Sequence, residues 1–122
     1  MIKSVKFVTV PVRDQDRALA FYTERLGFQV ATDQPFDEHQ RWIELKLPGA
    51  DTKVVLFQMG PEWEAMIGKS MNFAFATDNV LRTYDELVAR GVEFEGPPKE
   101  EPWGTFAVFT DSEGSRFVLS SK

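Results

Sequence analysis

Few residues of this 122-residue chain are equipped for covalent or metal chemistry. There is one histidine, His39, and no cysteine. Disulfides, thiolate zinc sites and cysteine nucleophiles are therefore excluded. A single imidazole without a G-x-S-x-G elbow gives Ser/His/Asp catalysis no footing. The segments LPGAD and SEGSR have the glycine spacing of turns, not of a phosphate-cradling loop. Asp37-Glu38 and Glu100-Glu101 pair acids within polar stretches, where solvation is the commoner fate. Glu44 differs, because it alternates with apolar residues in RWIELK and so occupies one face of a strand. It could act as a general base or polar anchor for a ligand, or it could form a salt bridge with Lys53 or Arg116. The other conspicuous residues are aromatic: Trp42, Trp63 and Trp103, with Phe7, Phe57 and Phe109 on alternating segments. Such side chains offer large, flat apolar contact areas.

The elements that must position these residues follow from periodicity. Val5 to Val12 alternates as a strand, and Asp14 caps a helix that runs to Leu26. Gly27 ends that helix in the left-handed conformation. Phe28 to Ala31 is a short strand and Thr32 to Gln40 a polar loop. Arg41 to Leu47 and Lys53 to Phe57 form a hairpin around Pro48-Gly49-Ala50-Asp51. Met59 to Lys69 connects, with room for a short helix. At Met71 the pattern restarts. Asn72 to Thr77 is a strand, Asp78 a cap, and Val80 to Arg90 a helix with Leu81, Tyr84, Leu87 and Val88 on one face. Gly91 stops it, and Val92 to Glu95 is a short strand. After Gly96-Pro97-Pro98, Trp103 to Thr110 and Ser115 to Ser120 make a second hairpin around Asp111 to Gly114.

Asp14 stands 13 positions before Gly27, and Asp78 stands 13 before Gly91. The later hairpins align with Leu56 opposite Leu119. An internal repeat sets the architecture before any other feature. It predicts an α+β fold of two tandem βαβββ modules, residues 4–60 and 70–122, within a single domain spanning 1–122. One α+β domain whose elements happen to match is the alternative.

The bulk numbers add exclusions. The chain is 43% hydrophobic and 27% charged, a globular balance. Its net charge of −5 disfavours nucleic acid and is compatible with a cationic compound. MIKSVKFVTVPV lacks a signal-peptide core, and no apolar run approaches a membrane span. Together with the absence of cysteine, this predicts a cytoplasmic protein with no membrane partner.

The string FVTVPVRDQDRALAFYTERLGF resembles the first strand and helix of vicinal-oxygen-chelate proteins. These include glyoxalase I, fosfomycin-resistance thiol transferases, extradiol dioxygenases and bleomycin-binding proteins. The tail FTDSEGSRFVLS resembles their closing hairpin, and the likeness covers nearly the whole chain. It implies curved mixed sheets with helices on the convex face and a ligand cavity on the concave face. It does not choose among the chemistries that this fold hosts.

Strand alternation then assigns the faces. Val8, Val10, Val12, Ile43, Leu45, Val54, Leu56, Phe73 and Phe75 point to the core. Phe7, Thr9, Trp42, Glu44, Lys53, Val55, Phe57, Asn72, Ala74 and Ala76 point to the cavity. In the second hairpin Phe106, Val108, Phe117 and Leu119 are assigned to the core. Thr105, Ala107, Phe109, Arg116, Val118 and Ser120 are assigned to the cavity.

The resemblance also places the family's metal ligands at Phe7, Val55, Asn72 and Val118. Three of these have no donor atom, and Asn72 offers only a neutral amide oxygen. A catalytic divalent ion takes about three ligands from imidazole, thiolate or carboxylate. The expectation is no metal and no cofactor, with a rearranged site at His39, Glu44 and Glu62 as the exception to test. The resulting expectation is a metal-free protein that sequesters a hydrophobic or aromatic small molecule such as an antibiotic. Phe7, Trp42, Phe57, Trp63, Trp103 and Phe109 would give apolar contact, and Glu44, Asn72 and Arg116 polar anchorage. The resemblance further implies a homodimer. Two alternatives compete: a glyoxalase- or dioxygenase-like enzyme with a displaced metal site, and a degenerate module whose own aromatics fill the cavity.

Overall fold

A computed structural model describes residues 1–121. The chain forms two compact units, Met1–Ile67 and a second that begins at Gly68. In the first unit, β1 (Phe7–Val10) leads to α1 (Gln15–Ala20), which continues as a π-helical turn, Phe21–Arg25. Strands β2 (Gln29–Pro35), β3 (Arg41–Lys46) and β4 (Lys53–Leu56) follow, then the single-turn α2 (Pro61–Glu64). The sheet order is β1-β4-β3-β2, with β1 parallel to β4 and the other pairs antiparallel.

The Asp14 carboxylate accepts from the Arg17 amide, fixing the start of α1. Gly27 sits at φ 78°, as its place after the helix requires. Gln15 ties helix to sheet. Its amide nitrogen donates to the Arg41 and Leu56 carbonyls at 2.7 and 2.9 Å, and its oxygen accepts from the Arg41 amide at 2.8 Å. Val10, Ala18, Tyr22, Ile43, Leu45, Val54 and Leu56 form the core between them, each at most 1% exposed. Burying each large aliphatic side chain stabilises the fold by roughly 1.5–3 kcal/mol. The polar stretch expected to be a loop from Thr32 is in fact strand as far as Pro35. A bulge between Val30 and Thr32 lets this exposed edge continue its ladder on β3.

The second unit repeats the plan: β5 (Ser70–Ala76), α3 (Val80–Ala89), β6 (Glu93–Phe94), β7 (Lys99–Glu101), β8 (Gly104–Thr110) and β9 (Arg116–Ser120). Its order, β5-β9-β8-β6, matches the first sheet strand for strand. The extra strand β7 pairs with the near end of β8, so Gly96-Pro97-Pro98 splits one edge strand into two. The two-module α+β fold expected from the repeat is the fold observed. Among the described residues no helix is long and apolar enough to cross a membrane.

Three local readings are corrected. The cap of α3 is Asn79, whose side chain accepts from the Arg82 amide at 3.0 Å, not Asp78. Both residue types cap well, so composition could not choose between neighbours. The spacing from cap to glycine is then 12 in the second unit against 13 in the first, and the π turn absorbs the extra residue. The buried face of α3 carries Val80 and Leu87, whereas Leu81 and Val88 are exposed. Most consequentially, β8 has the opposite phase to that expected. Phe109 lies opposite Phe117 and Ala107 opposite Leu119, and all four are buried. Phe106 and Val108 face the other way. Every residue of Phe106 to Phe109 is apolar, so alternation carries no phase there. The loop from Asp111 to Ser115 sets it instead: Asp111 accepts from the Glu113 and Ser115 amides at 2.9 and 3.0 Å.

Candidate functional site

The face of the first sheet that turns away from the Ile43 and Leu45 core collects four of the expected residues, although Val55 on that face is fully buried. The ladder sets Phe7 opposite Lys53, Thr9 opposite Val55, and Val55 opposite Glu44, so these side chains share one face with Trp42. Trp42 is the hub. Its ring meets Phe7 edge-on at 5.6 Å between centroids and Phe57 at 4.9 Å. Phe57 is only 3% exposed, so it backs the surface rather than presenting itself.

A residue that the sequence reading passed over completes the wall. Phe36 packs on Phe57 at 4.9 Å and lies 6.4 Å from Trp42, yet remains 61% exposed. The β2–β3 hairpin brings it there. The Phe36 and Asp37 amides both donate to the Gln40 carbonyl, and the Asp37 carboxylate accepts from the His39 and Gln40 amides. Those two amides hold the Asp37 carboxyl below its ordinary value. The available signal was a lone phenylalanine in an otherwise polar stretch.

Glu44 is fixed by the site itself. The Trp42 indole N–H donates to its Oε1 at 2.8 Å, and the pair stands two residues apart on β3. Among the described residues this is the carboxylate's one polar contact, and the salt bridge to Lys53 or Arg116 does not form. Trp63 stands on α2, half-buried and without a ring partner among the described residues.

In the second unit Asn72 is exposed on β5. Arg116 is committed: its guanidinium is ion-paired with both oxygens of Glu95 and donates to the Ser70 hydroxyl at 2.9 Å. Arg116 holds the Glu95 carboxyl below its ordinary range, and Glu95 raises Arg116 in return. Trp103 stacks on Phe106 at 5.3 Å and stays 60% exposed. It walls a groove of 710 Å³ floored by Ala74, Ala76 and Ser120. Phe109, expected in the cavity, is instead a core residue, stacked on Phe117 at 5.5 Å and Phe75 at 6.1 Å.

The side chains at the family's metal-ligand positions do not fit a divalent ion. Phe7 and Val55 lie on the first sheet and Asn72 and Val118 on the second, with no imidazole or carboxylate among them. Nor does a rearranged set assemble. His39 lies in the β2–β3 hairpin and Glu62 on α2, and no three His, Cys, Asp or Glu side chains gather among the described residues.

Comparison with known proteins agrees with this architecture. The profile of the Glyoxalase/Bleomycin resistance protein/Dioxygenase superfamily matches residues 4–119. A superfamily member from Sphaerobacter thermophilus DSM 20745 superposes with a TM-score of 0.89 at 32% identity, covering 99% of this chain and 98% of its own. TnmS3, an antibiotic binding protein from Streptomyces sp. CB03234, superposes with a TM-score of 0.85 at 36% identity, covering 98% and 96%. The uncharacterized protein YetH of Bacillus subtilis is 36% identical over 98% of both chains. Fold, repeat and sequence thus converge, and the chain belongs to the Glyoxalase/Bleomycin resistance protein/Dioxygenase superfamily.

Proposed function

We propose that this protein binds a hydrophobic or aromatic small molecule without a metal ion, and that it sequesters the compound rather than transforming it. The observation that carries the reading is the aromatic wall of Phe7, Phe36, Trp42 and Phe57 with one acidic anchor, Glu44. A cluster of aromatic side chains with few polar groups suits a flat organic ligand. The donor-poor ligand positions weigh against the alternative, a glyoxalase- or dioxygenase-like enzyme. The antibiotic-binding relative supports an antibiotic as the natural class of compound. Trp63 in the first unit, and Trp103, Asn72 and Arg116 in the second, are each proposed as secondary ligand contacts within their own unit.

Equilibrium dialysis against mitomycin C and bleomycin in the presence of EDTA tests the site. For whichever compound binds, Trp42→Ala should weaken binding by more than about tenfold, as expected for a central aromatic anchor. Unchanged affinity would place the site elsewhere.

A homodimer and a cytoplasmic location belong to the same proposal. Among the described residues the outer edges of β1, β2 and β5 have no partner within their own sheets, and such edges favour strand pairing between chains. Light scattering at micromolar concentration should return twice the 13.9 kDa chain mass; a monomer would refute the dimer.

A further inference from the structure

We infer that this site selects aromatic compounds carrying a protonated amine or cationic ring nitrogen, and that Glu44 is the residue that selects them. The inference rests on the small-molecule-binding reading above.

Three observations carry it. The Trp42 indole N–H holds Glu44 Oε1 at 2.8 Å, and no other described polar group reaches the carboxylate. The bond fixes the carboxylate's direction and leaves Oε2 without a donor. That oxygen is not buried, so it is open to a charge-assisted bond from a ligand, stronger than one between neutral groups. Lys53 shares the face, yet among the described residues no ion pair forms between it and Glu44. The surrounding groups are aromatic, with Trp42 part-exposed and Phe36 61% exposed beside it. Ring faces attract cations through their quadrupoles, and Trp does so most strongly. An anionic ligand would meet the same carboxylate and the same negative ring faces. The pairing of Glu44 with Trp42 therefore does two things at once: it orients the acid and presents a cation-binding ring.

Two tricyclic probes of nearly the same shape separate charge from burial: 9-aminoacridine, a cation at neutral pH, and acridine, neutral and without an N–H at pH 8. Binding is read by fluorescence titration at pH 8 for the wild type, Glu44→Gln and Trp42→Ala. Glutamine keeps an oxygen acceptor for the indole, so the local packing survives.

The wild type should prefer 9-aminoacridine by about tenfold or more. Glu44→Gln should remove that preference by weakening the cation alone, leaving acridine within about twofold. Trp42→Ala should weaken both probes. Equal binding of the two probes by the wild type, or equal loss of both in Glu44→Gln, overturns the charge selection. The aromatic site would still stand if Trp42→Ala weakens both. Binding of acridine without 9-aminoacridine overturns the charge selection, and failure of both probes to bind the wild type, or indifference of both to Trp42→Ala, overturns the site together with the inference.

Discussion

Single side chains decide both the stability of the first unit and the chemistry of its open face. Gln15 satisfies three main-chain groups on two strands that would otherwise compete for water. Net hydrogen bonds of about 1 kcal/mol each predict a loss of roughly 2–3 kcal/mol for Gln15→Ala, measured by urea denaturation. Charge contributes at lower pH. Asp37 and Glu95 both have folded-state carboxyls held below their ordinary values, Asp37 by backbone amides and Glu95 by Arg116. A depressed pKa means that the unfolded chain takes up protons first. The stabilisation is therefore complete above the unfolded value and is lost as pH falls through the folded one. Glu95→Gln should flatten the fall in stability on the acid side: the variant is slightly less stable than the wild type at neutral pH, where the ionised pair contributes fully, and the two converge in acid, where the wild-type carboxyl is protonated. An unaltered acid limb would show that the Arg116 pair is not maintained in solution. The placement of Glu44 and Trp42 on one face was legible from alternation. Their mutual hydrogen bond was not, because strand periodicity gives a face but no rotamer. Phe36 escaped for a related reason: its role depends on a hairpin whose second edge strand is too polar to read as one.

At the scale of elements, repeated apolar spacing gave the helices and hairpins, and ambiguity arose wherever two phases were equally apolar. The β8 strand is the clear case. The correction has a measurable consequence, because Phe109 sits among Phe75, Phe94 and Phe117 at 2% exposure. Phe109→Ala should cost about 3–5 kcal/mol. Phe106→Ala, on the open face beneath Trp103, should cost distinctly less. The reverse ranking would restore the phase read from sequence. The same ambiguity explains α3, where Val80 and Leu87 outcompete Leu81 and Val88 for the core. In the first unit the phase was secure, since Arg41, Ile43 and Leu45 alternate with Trp42, Glu44 and Lys46 and only one choice buries Ile43 and Leu45.

For the whole molecule, the repeat was the most legible signal, and it survived a local miscount. The two helices differ by one residue between cap and glycine, and the π turn takes up the difference without disturbing sheet order. Such tolerance is why order and turn position identify a duplicated fold better than exact spacing does. Function was less legible, because residues within the segments that carry the resemblance are structural: Asp14 caps a helix and Asp111 closes a turn. The functional reading rests instead on the donor-poor side chains Phe7, Val55, Asn72 and Val118 and on the aromatic wall of the first unit.

The most direct test is a thermal-shift measurement on EDTA-dialysed protein, run in parallel with aromatic antibiotics and with zinc, manganese, nickel and iron. A molecule that binds only the folded state must raise its apparent stability, by about 2.7 kcal/mol at a hundredfold excess over Kd. A rise with at least one aromatic compound and none with the metals is the predicted result. A rise with metals alone would contradict the account and return the enzyme reading to first place.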